Sequence, residues 1–167
     1  GVTAGEVESV CNGIEGVVAV ANYNSQLQVV IYGEKTAVEA AGAELRENGS
    51  KRGITLNVSG AFHSPLMDEA CELFADVVDE TPLSDAEIPV FSNVTASPVT
   101  DADDIRDLII RQITSPVEWT GSIENMIKNG MKDALELGPG GVVAGLVKRI
   151  DSSVNVRSVS DPAMILE

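Results

Sequence analysis

Val7, Val10, Cys11 and Ile14 recur at the spacing of one helix face. Thr3-Ala4-Gly5-Glu6, just ahead of them, has the S/T-x-x-E form of a capping box. A helix is therefore expected over residues 3–13, and Gly16 stops it. Residues 17–21 form a continuous apolar run and read as a strand. The turn-rich Asn22-Tyr23-Asn24-Ser25 separates them from a second run over 27–32, so the two are expected to form a hairpin. Gly33 breaks the pattern. Val38, Ala41 and Leu45 line one face of a helix over 36–48, with Gly49 just past its end. Residues 53–58 read as a third strand. The order helix, strand, strand, helix, strand is that of a ferredoxin-like βαββαβ unit without its first strand.

Beyond Gly60 helices and strands alternate. A helix is expected over 65–78, with Leu66, Ala70, Leu73, Phe74 and Val77 at core spacing. A short buried strand follows over 88–92, then a helix over 101–113 with acidic residues at its start, as the helix dipole prefers. Pro116 is expected to open another helix, which Gly130 ends. Residues 133–137 read as a strand, 138–141 as a tight turn, 142–150 as a helix ending in Lys148-Arg149, and 154–159 as a last strand. Such alternation implies a parallel sheet. The expected division is a ferredoxin-like subdomain over 1–58 and the C-terminal portion of a parallel-sheet α/β core over 59–167. Gly1 in place of a Met, with the missing first strand, gives the expectation of a chain that starts mid-protein.

Composition narrows the classes. The chain of 167 residues is 44% apolar, an ordinary globular share, enough for one domain or one domain with a small subdomain. No apolar run approaches the length of a membrane span, and the first residues lack the pattern of a signal peptide. The formal net charge of −15 disfavours binding to nucleic acid or to an anionic membrane. The two cysteines, Cys11 and Cys71, lie far apart without a CxxC partner and read as reduced, packed thiols. That fits a cytoplasmic location.

Few residues carry candidate chemistry. His63 is the only histidine. A lone histidine is more often a surface or satisfied core residue than a catalyst. This one sits in Ser59-Gly60-Ala61-Phe62-His63-Ser64-Pro65, between an expected strand and an expected helix, where α/β sites gather. Gly138-Pro139-Gly140-Gly141 matches neither phosphate-loop pattern and reads as a structural turn. Lys51-Arg52 is a basic pair in an acidic chain, as readily solvated as functional. No serine has glycine at both −2 and +2, so no G-x-S-x-G nucleophile elbow is present.

Ala61-Phe62-His63-Ser64-Pro65-Leu66-Met67 resembles the histidine motif of malonyl-CoA:acyl-carrier-protein transacylases and of polyketide synthase acyltransferase domains. Three further stretches agree in order and spacing: Asn22-Tyr23-Asn24-Ser25 with Gln28-Val29-Val30-Ile31; Ser92-Asn93-Val94-Thr95; and Gly138-Pro139-Gly140 followed by Gly145-Leu146-Val147-Lys148-Arg149-Ile150. The resemblance covers essentially the whole chain. It departs at Gly141, where the family usually has a lysine, and at Gly60, where the malonyl-selective polyketide motif often has a histidine.

The resemblance implies an α/β-hydrolase-like core beside the ferredoxin-like subdomain. It implies ping-pong acyl transfer, with His63 as general base and the main-chain carbonyl of Gln112 orienting it. Lys51 and Arg52 would meet the carrier protein or its prosthetic arm, Asn24 and Asn93 would lie near the cleft, and Phe62 would select malonyl over methylmalonyl. Malonyl-CoA and the phosphopantetheine-bearing acyl carrier protein would be substrates, with no bound cofactor or metal. The nucleophilic serine would come from the N-terminal part of the same enzyme, so this chain alone is expected to be inactive. A carrier-protein-binding module without catalysis and a polyketide acyltransferase domain are the rival readings.

Overall fold

A computed structural model describes residues 2–56 and 60–161. Its first part begins with α1 (Ala4–Gly13), β1 (Val18–Ser25), β2 (Gln28–Gly33) and α2 (Lys35–Glu47). The capping box at α1 forms in both directions: the Glu6 N–H donates to Thr3 Oγ1 at 3.3 Å, and the Thr3 N–H to Glu6 Oε2 at 2.6 Å. Val7, Val10 and Cys11 of α1, Val18 and Val20 of β1, and Ala37, Ala41 and Leu45 of α2 close one hydrophobic core. Gly33, at φ 150°, ends β2 where a Cβ would stand 1.9 Å from the Val17 carbonyl oxygen, so only glycine fits.

The hairpin is antiparallel and twice irregular, and its turn falls at 26–27: the stretch 22–25, expected as the turn, pairs with β2 as the end of β1. Its register shifts between Val20 and Asn22 and again between Tyr23 and Ser25, leaving Ala21 and Asn24 as extra residues. The first bulge frees the Ala21 carbonyl, which accepts the Val117 N–H at 2.8 Å, while the Tyr23 N–H donates to the Val117 carbonyl at 3.0 Å. Val117 thus forms a parallel bridge beside β1.

The expected third strand is not formed over 51–56, where Ile54 and Leu56 are exposed. Asn57 and Val58, its remaining residues, lie outside the described ones. The ferredoxin-like order is therefore incomplete among the described residues.

The second part carries a 3-10 turn (Pro65–Met67), α3 (Asp68–Glu80), β3 (Val90–Phe91), β4 (Pro98–Val99), α4 (Ala102–Arg111), α5 (Trp119–Lys128), β5 (Asp133–Leu137), α6 (Val142–Ile150) and β6 (Asn155–Val159). The expected parallel arrangement is present in one pair, β5 and β6, joined through α6. Ile123, Val147 and Val154 form the centre of a second core, packed by Trp119, Met126, Ile127, Ile150 and Val156.

Three expectations are corrected. α5 starts at Trp119 and not at Pro116, because the backbone of Val117 is committed to β1. The strand near 88–92 is a two-residue piece, Val90 exposed and Phe91 half-buried, paired antiparallel with β4, for which no strand was expected. The supposed core face of α3 is open: Leu66, Leu73 and Val77 are exposed, Leu73 at 67%, and Val78 is the one buried residue of that helix.

Candidate active site

His63 occupies the left-handed backbone region, φ 64°, where a non-glycine residue needs outside support. That support comes from the end of α4. A helix leaves its last carbonyls without intrahelical donors, and the chain just beyond α4 offers two in succession. The His63 N–H donates to the Ile113 carbonyl at 3.1 Å. Nδ1 of the half-buried ring lies 2.9 Å from the Gln112 carbonyl oxygen. A carbonyl only accepts, so Nδ1 carries the proton and Nε2 is left as the proton-accepting nitrogen.

The next residue completes the turn. Ser64 is wholly buried, and its Oγ accepts the Leu66 N–H at 3.1 Å, capping the 3-10 turn that Pro65 opens. The Ser-Pro pair is the sequence signal for this N-cap. The Phe62 ring, half exposed at 52%, folds back over Gly60: a Cβ on Gly60 would sit 3.4 Å from its Cζ.

Residues 112–120 are the spine on which most of the singled-out residues converge. Gln112 and Ile113 hold His63. Val117 holds the bulged strand around Asn22, and the Thr120 hydroxyl donates to the Tyr23 carbonyl at 2.8 Å, next to Asn24. The Glu118 N–H donates to the Asn93 carbonyl at 2.9 Å. The Asn93 loop is fixed again where Asn125 Nδ2 donates to the Ala96 carbonyl at 2.8 Å. Gln28 and Arg149, from two of the recurring stretches, meet directly, Nη1 to Oε1 at 2.5 Å. Lys51 and Arg52 are exposed beyond α2, and no bond among the described residues joins them to the His63 loop.

The electrostatics are uneven. Burial, then the hydrogen bond to Glu8, raises the Tyr23 hydroxyl well above its ordinary range; the two groups are 2.5 Å apart. Glu118 is raised by burial and then by Glu8. Glu136 is lowered, chiefly by the Ser158 hydroxyl at 2.7 Å and also by the Val143 and Ala144 N–H groups at 3.0 and 3.2 Å. A protein carboxylate therefore already fills the amide end of α6, where a phosphate loop would need its anion. No cluster of metal-ligating side chains occurs among the described residues. No described helix is long and apolar enough to cross a membrane.

No family model matches the chain. Known proteins do. A malonyl CoA-acyl carrier protein transacylase of Bacillus subtilis (strain 168) is 43% identical over 149 residues, 89% of this chain and 47% of that protein. An acyl carrier protein S-malonyltransferase from Vibrio cholerae superposes with a TM-score of 0.94 at 38% identity, covering 99% of this chain and 55% of the other. A malonyl-transacylase solved in complex with a type II PKS acyl-carrier protein does so with a TM-score of 0.94 at 35% identity. The chain spans about half the length of the relatives it matches, and the match lies in their C-terminal part.

Proposed function

We propose that this chain, which corresponds to the C-terminal part of the malonyl-CoA:acyl-carrier-protein transacylases, supplies the general base of that reaction to a site completed by the N-terminal part. The observation that carries the reading is the pairing of His63 Nδ1 with the Gln112 carbonyl. It leaves Nε2 free to take a proton.

The chemistry runs in two halves. Nε2 of His63 accepts the proton of a serine hydroxyl carried by the complementary part. The serine oxygen adds to the malonyl thioester carbonyl, and the tetrahedral adduct expels CoA thiolate, to which His63 returns the proton. The phosphopantetheine thiol of acyl carrier protein then gives its proton to His63 and attacks the malonyl-serine ester; the serine oxygen leaves, takes the proton back from His63, and the malonyl group is left as a thioester on the carrier protein. Gln112 does the orienting work that a carboxylate does in a Ser-His-Asp triad. Being neutral, it stabilises the imidazolium less than an aspartate would. The role belongs to fatty-acid biosynthesis, and the free thiols Cys11 and Cys71 fit a cytoplasmic setting.

The division at residues 58 and 59 and the hydrolase-like core are part of the same reading. The exposed apolar residues support a complementary part. Leu66, Leu73 and Val77 line the region of α3, and Leu135 and Leu137 alternate on one face of β5. Parallel strands normally lie covered on both faces, yet β5 has one partner strand among the described residues and an open face. Lys51 and Arg52 present positive charge to an acidic carrier protein, since steering depends on the local field.

The test is malonyl labelling. The chain alone should take no malonyl group on any serine. Mixed with the N-terminal half of a relative, it should restore transfer to acyl carrier protein, and His63→Ala should abolish that gain. An adduct on a serine of this chain, or restored transfer that ignores His63, would overturn the reading.

A further inference from the structure

We propose that Arg106 is a positioning residue for His63, acting by clamping α4 to α3. The two helices lie antiparallel: Cys71 Sγ, near the start of α3, donates to the Ile110 carbonyl near the end of α4 at 3.4 Å. At the opposite end the guanidinium of Arg106, in the first half of α4, donates to the Val78 carbonyl and, at 3.0 Å, to the Thr81 carbonyl. These oxygens sit at the C-terminal end of α3, where the dipole favours a cation; the Val78 carbonyl also accepts the Thr81 N–H at 3.1 Å.

The clamp matters because few hydrogen bonds among the described residues join the pair. Neither helix contributes to the two cores, α3 buries only Val78, and α4 has no fully buried residue. The Cys71 thiol is a weak donor. Arg106, half-buried and giving charged hydrogen bonds, is the stronger tie.

Both ends of the His63 geometry depend on the pair. α3 and its leading 3-10 turn follow His63 directly, while the two carbonyls that hold its backbone and ring follow α4. Displacing α4 against α3 pulls those carbonyls away from a residue whose left-handed backbone is unfavourable without them.

Only its consequence for turnover rests on the reading of His63 as base. The test therefore reads the ring itself. One histidine in the chain gives one imidazole signal set by nitrogen NMR on histidine-labelled protein. In the unaltered chain the neutral ring should hold the Nδ1–H tautomer with a slowly exchanging proton. Arg106→Met should give a mixture of tautomers and speed exchange of the Nδ1 proton and the His63 amide by roughly tenfold or more, while Val10 and Ile123 amides in the cores stay within about twofold. Arg106→Lys keeps the charge but not the planar fork and should fall between. An unchanged tautomer and exchange rate in Arg106→Met with intact cores overturns the proposal. If Arg106→Met loses core protection, Arg106→Lys decides by the same two readings: a loosened ring supports the clamp, and wild-type behaviour overturns it. Failure here leaves the His63→Ala transfer test untouched.

Discussion

His63 and Gln112 stand 49 positions apart in the chain and 2.9 Å apart in the fold, ring nitrogen to main-chain oxygen. The bond uses the backbone of Gln112 and none of its side chain. In a complete enzyme His63→Ala should therefore lower kcat by about 10²–10⁴-fold, the usual worth of a general base. Gln112→Ala should leave kcat within a few-fold. Steady-state transfer to carrier protein measures both, and a large loss from Gln112→Ala would mean that its side chain has a role of its own.

Lys51 and Arg52 lie exposed. Lys51→Glu with Arg52→Glu should raise KM for acyl carrier protein far more than KM for malonyl-CoA, and the effect should shrink as salt screens the surface. Equal increases for both substrates would reveal a general fault. No change would return the pair to solvated surface charge.

The Phe62 ring is half exposed beside the histidine. A rigid ring there would take space that the methyl branch of methylmalonyl needs, and overpacking costs about 1–3 kcal/mol. Phe62→Ser in a complete enzyme should move the kcat/KM ratio towards methylmalonyl-CoA by several-fold. An unchanged ratio in a folded variant would place selectivity in the complementary part.

Glu136 has a lowered pKa because Ser158, Val143 and Ala144 bond its ionised form. Its contribution is present above the unfolded carboxylate value of about 4.3 and is lost as pH falls through the lower folded value. Glu136→Ala should lower Tm at neutral pH. The gap from the unaltered chain should close progressively below about pH 4. Thermal melts across that range decide, and a constant gap would mean that packing, not charge, is what Glu136 supplies.

Leu73 and Val77 face outward on α3. Leu73→Ser with Val77→Ser should leave the melting of the chain alone almost unchanged, since exposed substitutions usually shift stability by about 0.5 kcal/mol or less. The same pair should block complementation by the N-terminal half of a relative. A large drop in Tm with unimpaired complementation would show that this face serves the chain's own fold.

Where an element's determinants lie within a few residues of one another, the sequence alone determined it. The Thr3–Glu6 capping box, the first hairpin, and the strand-turn-helix from Asp133 through Gly140 to Ile150 are of this kind, because caps, period and turn glycines act locally. The motif around His63 and its resemblance were legible in the same way. Tertiary structure decided what has no local mark. Every residue carries a carbonyl, so the chemistry of Gln112 and Ile113 does not announce them as the holders of His63; Gln112 came only through the resemblance, and Ile113 not at all. Nor does Val117 look like a neighbour of β1, since the carbonyl that it meets is freed by a bulge at Ala21, far earlier in the chain. Apolar spacing in α3 showed that a face exists, but not whether the surface that covers it belongs to this stretch of chain. That depends on which segments meet in space, and burial, unlike helix period, is a property of the assembled molecule.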